Sequence, residues 1–103
     1  MTKGEKKGHS DILYEAILTL KDLDECKKFF VDLCTVAELR AMEQRFEVAI
    51  LLNEGMIYND ILERTGASSA TISRVNRSLQ YGADGYQEVL PRIKEKYKSD
   101  VKL

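Results

Sequence analysis

The apolar residues of the chain recur every three or four positions, which is the spacing of one face of an α-helix. The pattern predicts a first helix from Ser10 or Asp11 and a second helix from Asp22. A third and longest helix is predicted from Thr35 to about Glu54. Apolar and polar residues alternate over no more than a few positions anywhere in the sequence, so no strand is predicted. We therefore expect an all-α fold.

The predicted third helix carries an apolar run near its C-terminus. Thr35 and Glu38 have the spacing of a capping box at its start, and Gly55 suits a left-handed residue after its end. Residues 48–52, VAILL, are apolar on almost every side of the helix, so this part must be covered from several directions. We expect a second copy of the chain to provide that cover.

Two shorter helices are predicted next, at about residues 58–64 and 69–81. Between them, Gly66 tolerates the positive φ of a tight turn, and Ser68 can cap the second helix. Helical spacing turns Ile72, Val75 and Leu79 of that second helix inward. The segment at about 58–81 is therefore predicted to be a helix-turn-helix, with an ordinary helical hairpin as the alternative.

The last predicted helix begins at Asp84, and Gln87 has the spacing of its capping-box partner. Pro91 lies inside this helix. A proline in a helix interior lacks a backbone donor and clashes with the preceding turn, at a cost of about 3 kcal/mol. We expect a kink, or a break and a restart, at Pro91.

Length and composition indicate one small helical domain. The chain has 103 residues, of which 44% are hydrophobic and 32% charged. We expect a disordered arm at 1–9, a single domain at 10–98 and a frayed tail at 99–103. No apolar run approaches the ~20 residues of a membrane helix, and a cytoplasmic location is expected. The sequence shows no nucleophile–base pair, metal-ligand set or phosphate loop, so we predict neither an enzyme nor a metal or cofactor requirement.

The formal net charge of −1 excludes a strongly basic surface, so any binding of nucleic acid must come from local placement. The start of the predicted second helix of the helix-turn-helix is small and polar, which lets it approach base edges in a major groove. Its free amides can receive a phosphate. The predicted contacts to double-stranded DNA are Ser68, Ser69, Ala70, Thr71, Ser73, Arg74 and Arg77.

Several parts of the chain resemble the Trp repressor family, and most closely its YerC/YecD-type branch. The resemblance covers about residues 10–97 and rests on Cys34-Thr35 opening a long helix, Arg45 within it and Gly55-Met56 at its end. It continues through Gly66-Ala67, residues 70–74 (ATISR), Asn76 and Ser78-Leu79. The long helix with Arg45 is the feature that selects this family among helix-turn-helix proteins.

The resemblance implies a fold of six helices in an intertwined homodimer. The first three helices and the last would form a shared core, from which one helix-turn-helix per subunit would protrude. The two recognition helices would meet successive major grooves about one helical turn apart. Transcriptional repression is the implied role.

The resemblance also implies a site for L-tryptophan as a corepressor. In the family the indole lies between two arginines, which match Arg45 and Arg74, while Thr35 and Thr71 match positions that line the pocket. Ser78 matches a residue near the ligand's amino group. However, Val75 stands where the family has a glycine beside the indole, and Asp32 and Cys34 replace leucines. The bulk of Val75 counts against tryptophan, so a different small effector, or none, is the alternative.

Three roles are open for Arg74 at this point. It could contact DNA, pair with an acidic neighbour as a structural residue, or clamp an aromatic ligand, and we favour them in that order. Arg45 is expected to be a structural or pocket residue rather than a DNA contact. A further alternative for the whole chain is a protein-interaction module that has kept this fold and lost DNA binding, which the weak net charge favours.

Overall fold

The computed structural model describes residues 10–96, which form an all-α fold of six helices without a strand in this range. The predicted arm at 1–9 and tail at 99–103 lie outside the described residues, as does Tyr97, which ends the stretch of resemblance. The helices are α1 (Ile12–Leu18), α2 (Leu23–Leu33), α3 (Val36–Asn53), α4 (Tyr58–Thr65), α5 (Ser69–Tyr81) and α6 (Gly85–Lys96).

The chain divides into two compact units, with the boundary after Leu39 in the first turn of α3. The first unit contains α1, α2 and the start of α3. Neither α1 nor α2 has a buried residue. Their apolar positions are largely exposed, as shown by Leu18 at 84% and Leu23 at 64%. This unit therefore presents an apolar surface rather than enclosing a core of its own.

The capping box predicted at the start of α3 is formed, and a carboxylate also caps the start of α2. At the start of α3, the backbone N–H of Glu38 donates to the Thr35 hydroxyl over 3.0 Å, and the Thr35 N–H donates to the Glu38 carboxylate over 2.9 Å. At the start of α2, the Glu25 N–H donates to the Asp22 carboxylate over 2.9 Å. These local contacts satisfy amide groups that a helix start leaves without partners.

The end of α3 has the predicted left-handed residue. Gly55 has a φ of 92°, and its N–H donates to the Leu52 carbonyl over 3.0 Å. The Met56 N–H donates to the Leu51 carbonyl over 3.1 Å. This pair of bonds is a Schellman motif, and Met56 packs against the core of the second unit, as the residue after such a terminus commonly does.

The core of the second unit lies between α3, α4 and α5. It is a cluster of small and branched apolar side chains, all at most 4% exposed: Val48, Ala49, Leu51, Ile61, Ala67, Ile72 and Val75. The inward positions predicted for the helix-turn-helix are thus in place, with Leu79 half-buried against the same cluster.

This core corrects the expectation that a second copy covers the apolar run at 48–52. Val48, Ala49 and Leu51 are buried within a single chain, because α4 and α5 fold back onto that part of α3. The expectation of an external cover was therefore wrong for most of the run. Most of the large apolar side chains that remain exposed lie in the first unit.

The last helix is not broken at Pro91, and its predicted capping box is not formed. It runs from Gly85 to Lys96 without a break, with Pro91 inside it. Pro91 is exposed, and so water can reach the backbone group that proline leaves unpaired. Asp84 and Gln87 do not form the predicted capping box: Asp84 has a φ of 71°, and Gln87 Nε2 donates to the Leu79 carbonyl over 2.9 Å.

Candidate nucleic-acid interface

The turn between α4 and α5 is organised by Thr65 and Gly66. The Thr65 hydroxyl donates to the Ile61 carbonyl over 2.7 Å and accepts from the Ala67 N–H over 3.0 Å. Gly66 has a φ of 74°, in the left-handed region that favours glycine, and its N–H donates to the Leu62 carbonyl. With Ala67 buried, the turn has little freedom, so α5 leaves it in a defined direction.

The N-terminus of α5 is capped by Ser68. Its hydroxyl accepts from the Thr71 N–H and also donates to the Thr71 hydroxyl, each over 3.1 Å. The Ser68 hydroxyl is therefore engaged within the helix start. The amides of Ser69 and Ala70 occupy the first two helical positions, where an intrahelical partner is lacking, and both residues are exposed. These two N–H groups are the ones suited to receive a phosphate oxygen.

All of the residues predicted to contact DNA are exposed except Thr71. Thr71, which belongs to the cap, is half-buried. The others lie on the outer side of α5 or at its start, while Ile72 and Val75 of the same helix are buried. The exposed residues are Ser68, Ser69, Ala70, Ser73, Arg74 and Arg77. α5 thus presents a small and polar face at its first turn and two guanidinium groups further along.

Arg74 and Arg77 are available for an external partner. In the part of the chain that the structure describes, neither forms an ion pair, whereas Arg92 pairs with Glu88 over 3.3 Å. This argues against the structural role considered for Arg74. A guanidinium group can bind a phosphate, or donate two parallel hydrogen bonds to the edge of a guanine, and both kinds of partner occur in a major groove.

The residues predicted for an effector pocket differ in exposure and in the unit to which they belong. Val75 is 2% exposed and belongs to the core, whereas Arg45 and Arg74 are exposed. Thr35 belongs to the first unit, where its hydroxyl caps α3. Thr71 belongs to the cap of α5, and Ser78 lines a cleft of the second unit.

This cleft is open, has a volume of about 370 Å³ and lies near the end of α5. Phe46 and Tyr86 form one part of its lining, with their rings stacked at an angle of 25° and centroids 6.3 Å apart. Its lining residues are Phe46, Ser78, Gly82, Ala83, Gly85, Tyr86 and Val89. Sequence reasoning missed this cleft, because the aromatic pair joins residues that lie far apart in the chain.

Residues 10–96 hold no group of three His, Cys, Asp or Glu side chains that could bind a metal ion. The same range also holds no helix whose length and apolar character would let it cross a membrane.

The chain matches the Trp repressor protein family over residues 9–94. It belongs to the Trp repressor family. The match includes α1 to α5 and most of α6, so membership in the Trp repressor family extends over both units and is not limited to the helix-turn-helix.

Relatives within the Trp repressor family support the YerC-type branch. The chain is 55% identical over 85 residues to a Bacillus subtilis (strain 168) protein called YerC, whose function is uncharacterised, and the match covers 82% of each chain. A crystal structure of a Trp repressor candidate from Staphylococcus aureus superposes with a TM-score of 0.78 at 51% identity, covering 81% of this chain and 83% of that one. A TrpR-like protein from Eubacterium eligens also gives 0.78, at 59% identity, covering 81% and 86%.

Proposed function

We propose that this protein is a sequence-specific DNA-binding transcriptional regulator, and specifically a repressor, which acts through α4, the turn and α5. The observation that carries the proposal is the division of α5 into two faces. Ile72 and Val75 are buried in the core, while Ser69, Ser73 and Arg74 face solvent. Membership in a family of DNA-binding regulators supports the same conclusion.

The proposed contacts combine positioning with base recognition. The amides of Ser69 and Ala70 would bind a backbone phosphate and so fix the helix on the duplex. Ser73 and Arg74 would then lie at the base edges, with Arg77 on a neighbouring phosphate. Ser68 and Thr71 would act through the cap, by keeping the first turn of α5 in shape.

We further propose that the active form is a homodimer. The apolar side chains of α1 and α2 are largely in contact with water in a single chain, as Leu18 at 84% and Leu23 at 64% exposure show. A second copy would remove that surface from water. A dimer would also present two α5 helices to two half-sites about one helical turn apart, which requires a pseudo-palindromic site.

The proposed regulator does not depend on L-tryptophan. Val75 fills buried space in the cluster that joins α3, α4 and α5. A ligand placed beside its position would have to displace that side chain, and overpacking of this kind costs about 1–3 kcal/mol. The helix-turn-helix is instead held by its own apolar core, and any effector would be a different small molecule bound elsewhere.

A second candidate function is a protein-interaction module that has lost DNA binding. The formal net charge of −1 favours it, because the protein as a whole has no electrostatic attraction for DNA. The two functions differ in their response to salt. Phosphate contacts release counterions, so DNA affinity falls steeply as salt rises, whereas a module without these contacts shows no such DNA affinity.

The experiment that tests the proposal is selection of binding sites by the purified protein from fragmented DNA, with and without added L-tryptophan. We expect recovery of a pseudo-palindromic site in both arms. Recovery only with L-tryptophan would show that Val75 does not exclude the ligand. Recovery in neither arm would contradict DNA binding by the protein alone and favour the interaction module.

A further inference from the structure

A hydrogen bond links the long helix α3 to the turn of the helix-turn-helix. Gln44 Nε2 donates to the backbone carbonyl of Thr65 over 3.2 Å, although the two residues are separated by 21 positions in the sequence. The contact is partly buried, in contrast to the other glutamine contacts, which are exposed. Gln44 therefore reaches across from one helix to the last residue of another.

The Thr65 carbonyl that accepts this bond lies at the end of α4, where the turn of the helix-turn-helix begins. Thr65 is the last residue of α4, and the final carbonyls of a helix have no partner inside it. The same residue organises the turn, because its hydroxyl bonds to the Ile61 carbonyl and to the Ala67 N–H. A bond that holds Thr65 therefore also restrains Ala67, the residue of the turn that Thr65 contacts directly.

We propose that Gln44 is a positioning residue for DNA binding, which fixes the turn on α3 and so sets the direction of α5. It makes no contact with DNA itself. The expected effect on DNA affinity rests on the proposed function. The contact between Gln44 and Thr65 can be tested without DNA.

The apolar core and the hydrogen bond from Gln44 restrain α5 in different ways. The attraction that buries Val48, Ile72 and Val75 is non-directional, and close packing limits how far the helix can move. A hydrogen bond restricts both distance and angle, and it weakens steeply when either departs from its preferred range. Gln44 thus adds a directional contact between α3 and the turn, beside the hydrogen bonds within the turn itself.

Three variants separate positioning from general stability. Gln44→Ala removes the donor, and Gln44→Glu keeps the shape of the side chain while its ionised carboxylate cannot donate. Gln87→Ala is the matched control, because Gln87 Nε2 also donates to a backbone carbonyl, that of Leu79, over 2.9 Å at an exposed site. The first measurement is amide hydrogen exchange without DNA, and the second is affinity for the selected site over a series of salt concentrations.

Both Gln44 variants should raise exchange at the Gly66 and Ala67 amides by about 3- to 10-fold, the range expected for one net hydrogen bond. Exchange at the Val75 amide should not change, and Gln87→Ala should leave the turn amides as they are. Affinity for the selected site should fall by a similar factor, with a shallower dependence on salt because fewer phosphates are engaged.

If all amides exchange faster in the Gln44 variants, including that of Val75, Gln44 contributes only to general stability. That result would overturn the inference. Unchanged exchange at Gly66 and Ala67 would overturn it as well. A purely structural loss would lower affinity without changing its salt dependence, because it changes only the fraction of folded protein. If the unaltered protein binds no DNA, the proposed function fails, and the exchange data still decide whether Gln44 holds the turn.

Discussion

The backbone N–H of Thr71 donates a hydrogen bond of 3.1 Å to the Ser68 hydroxyl, and this bond closes the first turn of the helix that carries the proposed DNA contacts. Without it, one amide at the start of α5 loses its partner. We expect Ser68→Ala to lower the free energy of unfolding by about 1 kcal/mol, the usual loss for a removed N-cap. Chemical denaturation followed by circular dichroism measures this change.

Ser69→Ala is the matched control for the cap. It makes the same chemical change one position later, where the side chain is exposed and does not cap the helix. We expect the free energy of unfolding to change by no more than about 0.5 kcal/mol. Equal losses in the two variants would show that the Ser68 hydroxyl does not stabilise the helix start.

The features that could be predicted from the sequence are those formed by neighbours in the chain. The capping box of Thr35 and Glu38, the left-handed Gly55 and Gly66, and the cap at Ser68 all depend on residues within a few positions. Such contacts require particular residue types at fixed spacing, and so these helix ends followed from the pattern of residues. The capping box predicted at Asp84 and Gln87 did not form, because Gln87 bonds to Leu79 instead.

The features that could not be predicted depend on tertiary packing. The contacts from Gln44 to Thr65 and from Gln87 to Leu79 join residues that no periodic pattern relates. The cover over residues 48–52 was assigned to a second copy because hydrophobicity shows that a surface is buried without showing what buries it. The cleft beside Phe46 was missed for the same reason.

The exposed apolar face of the first unit gives a prediction about oligomeric state. We expect Leu23→Glu to shift the protein from dimer toward monomer, because a charge would have to be buried without a partner at the proposed interface. Sedimentation equilibrium measures the shift. Asp32→Lys is the control on the same helix, at an exposed charged position on the face opposite Leu23, and should leave the assembly unchanged. A monomeric unaltered protein would contradict the proposed homodimer.

Val75 gives a prediction about ligands and stability. We expect Val75→Gly to lower the free energy of unfolding by about 3 kcal/mol, since it removes a buried side chain and places glycine inside a helix. Denaturant unfolding checks the loss of stability, and Val89→Gly, on the exposed side of α6, should lose less.

Calorimetry of the unaltered protein with L-tryptophan should show no binding. If L-tryptophan binds and also raises DNA affinity, Val75 does not exclude the ligand from the position beside it.

Arg74 gives the most direct prediction about DNA recognition. Its side chain is exposed on α5 and forms no ion pair within the described residues. We expect Arg74→Ala to weaken binding to the selected site by about 1–3 kcal/mol and to relax its base preference, as loss of a base contact would. If Arg74 binds a phosphate instead, affinity falls for all sequences alike and the slope against salt decreases by about one. Titration of the selected and a scrambled site distinguishes these outcomes.

Arg92→Ala is the control for loss of positive charge. Arg92 is exposed on α6 and pairs with Glu88 over 3.3 Å, a surface contact worth at most about 1 kcal/mol to stability. Its removal should leave both affinity and base preference unchanged. Arg74→Lys then separates charge from geometry, because lysine keeps the charge and loses the planar pair of donors that matches a guanine edge. Unchanged binding by Arg74→Ala would remove Arg74 from the interface and contradict the proposed role of α5 in recognition.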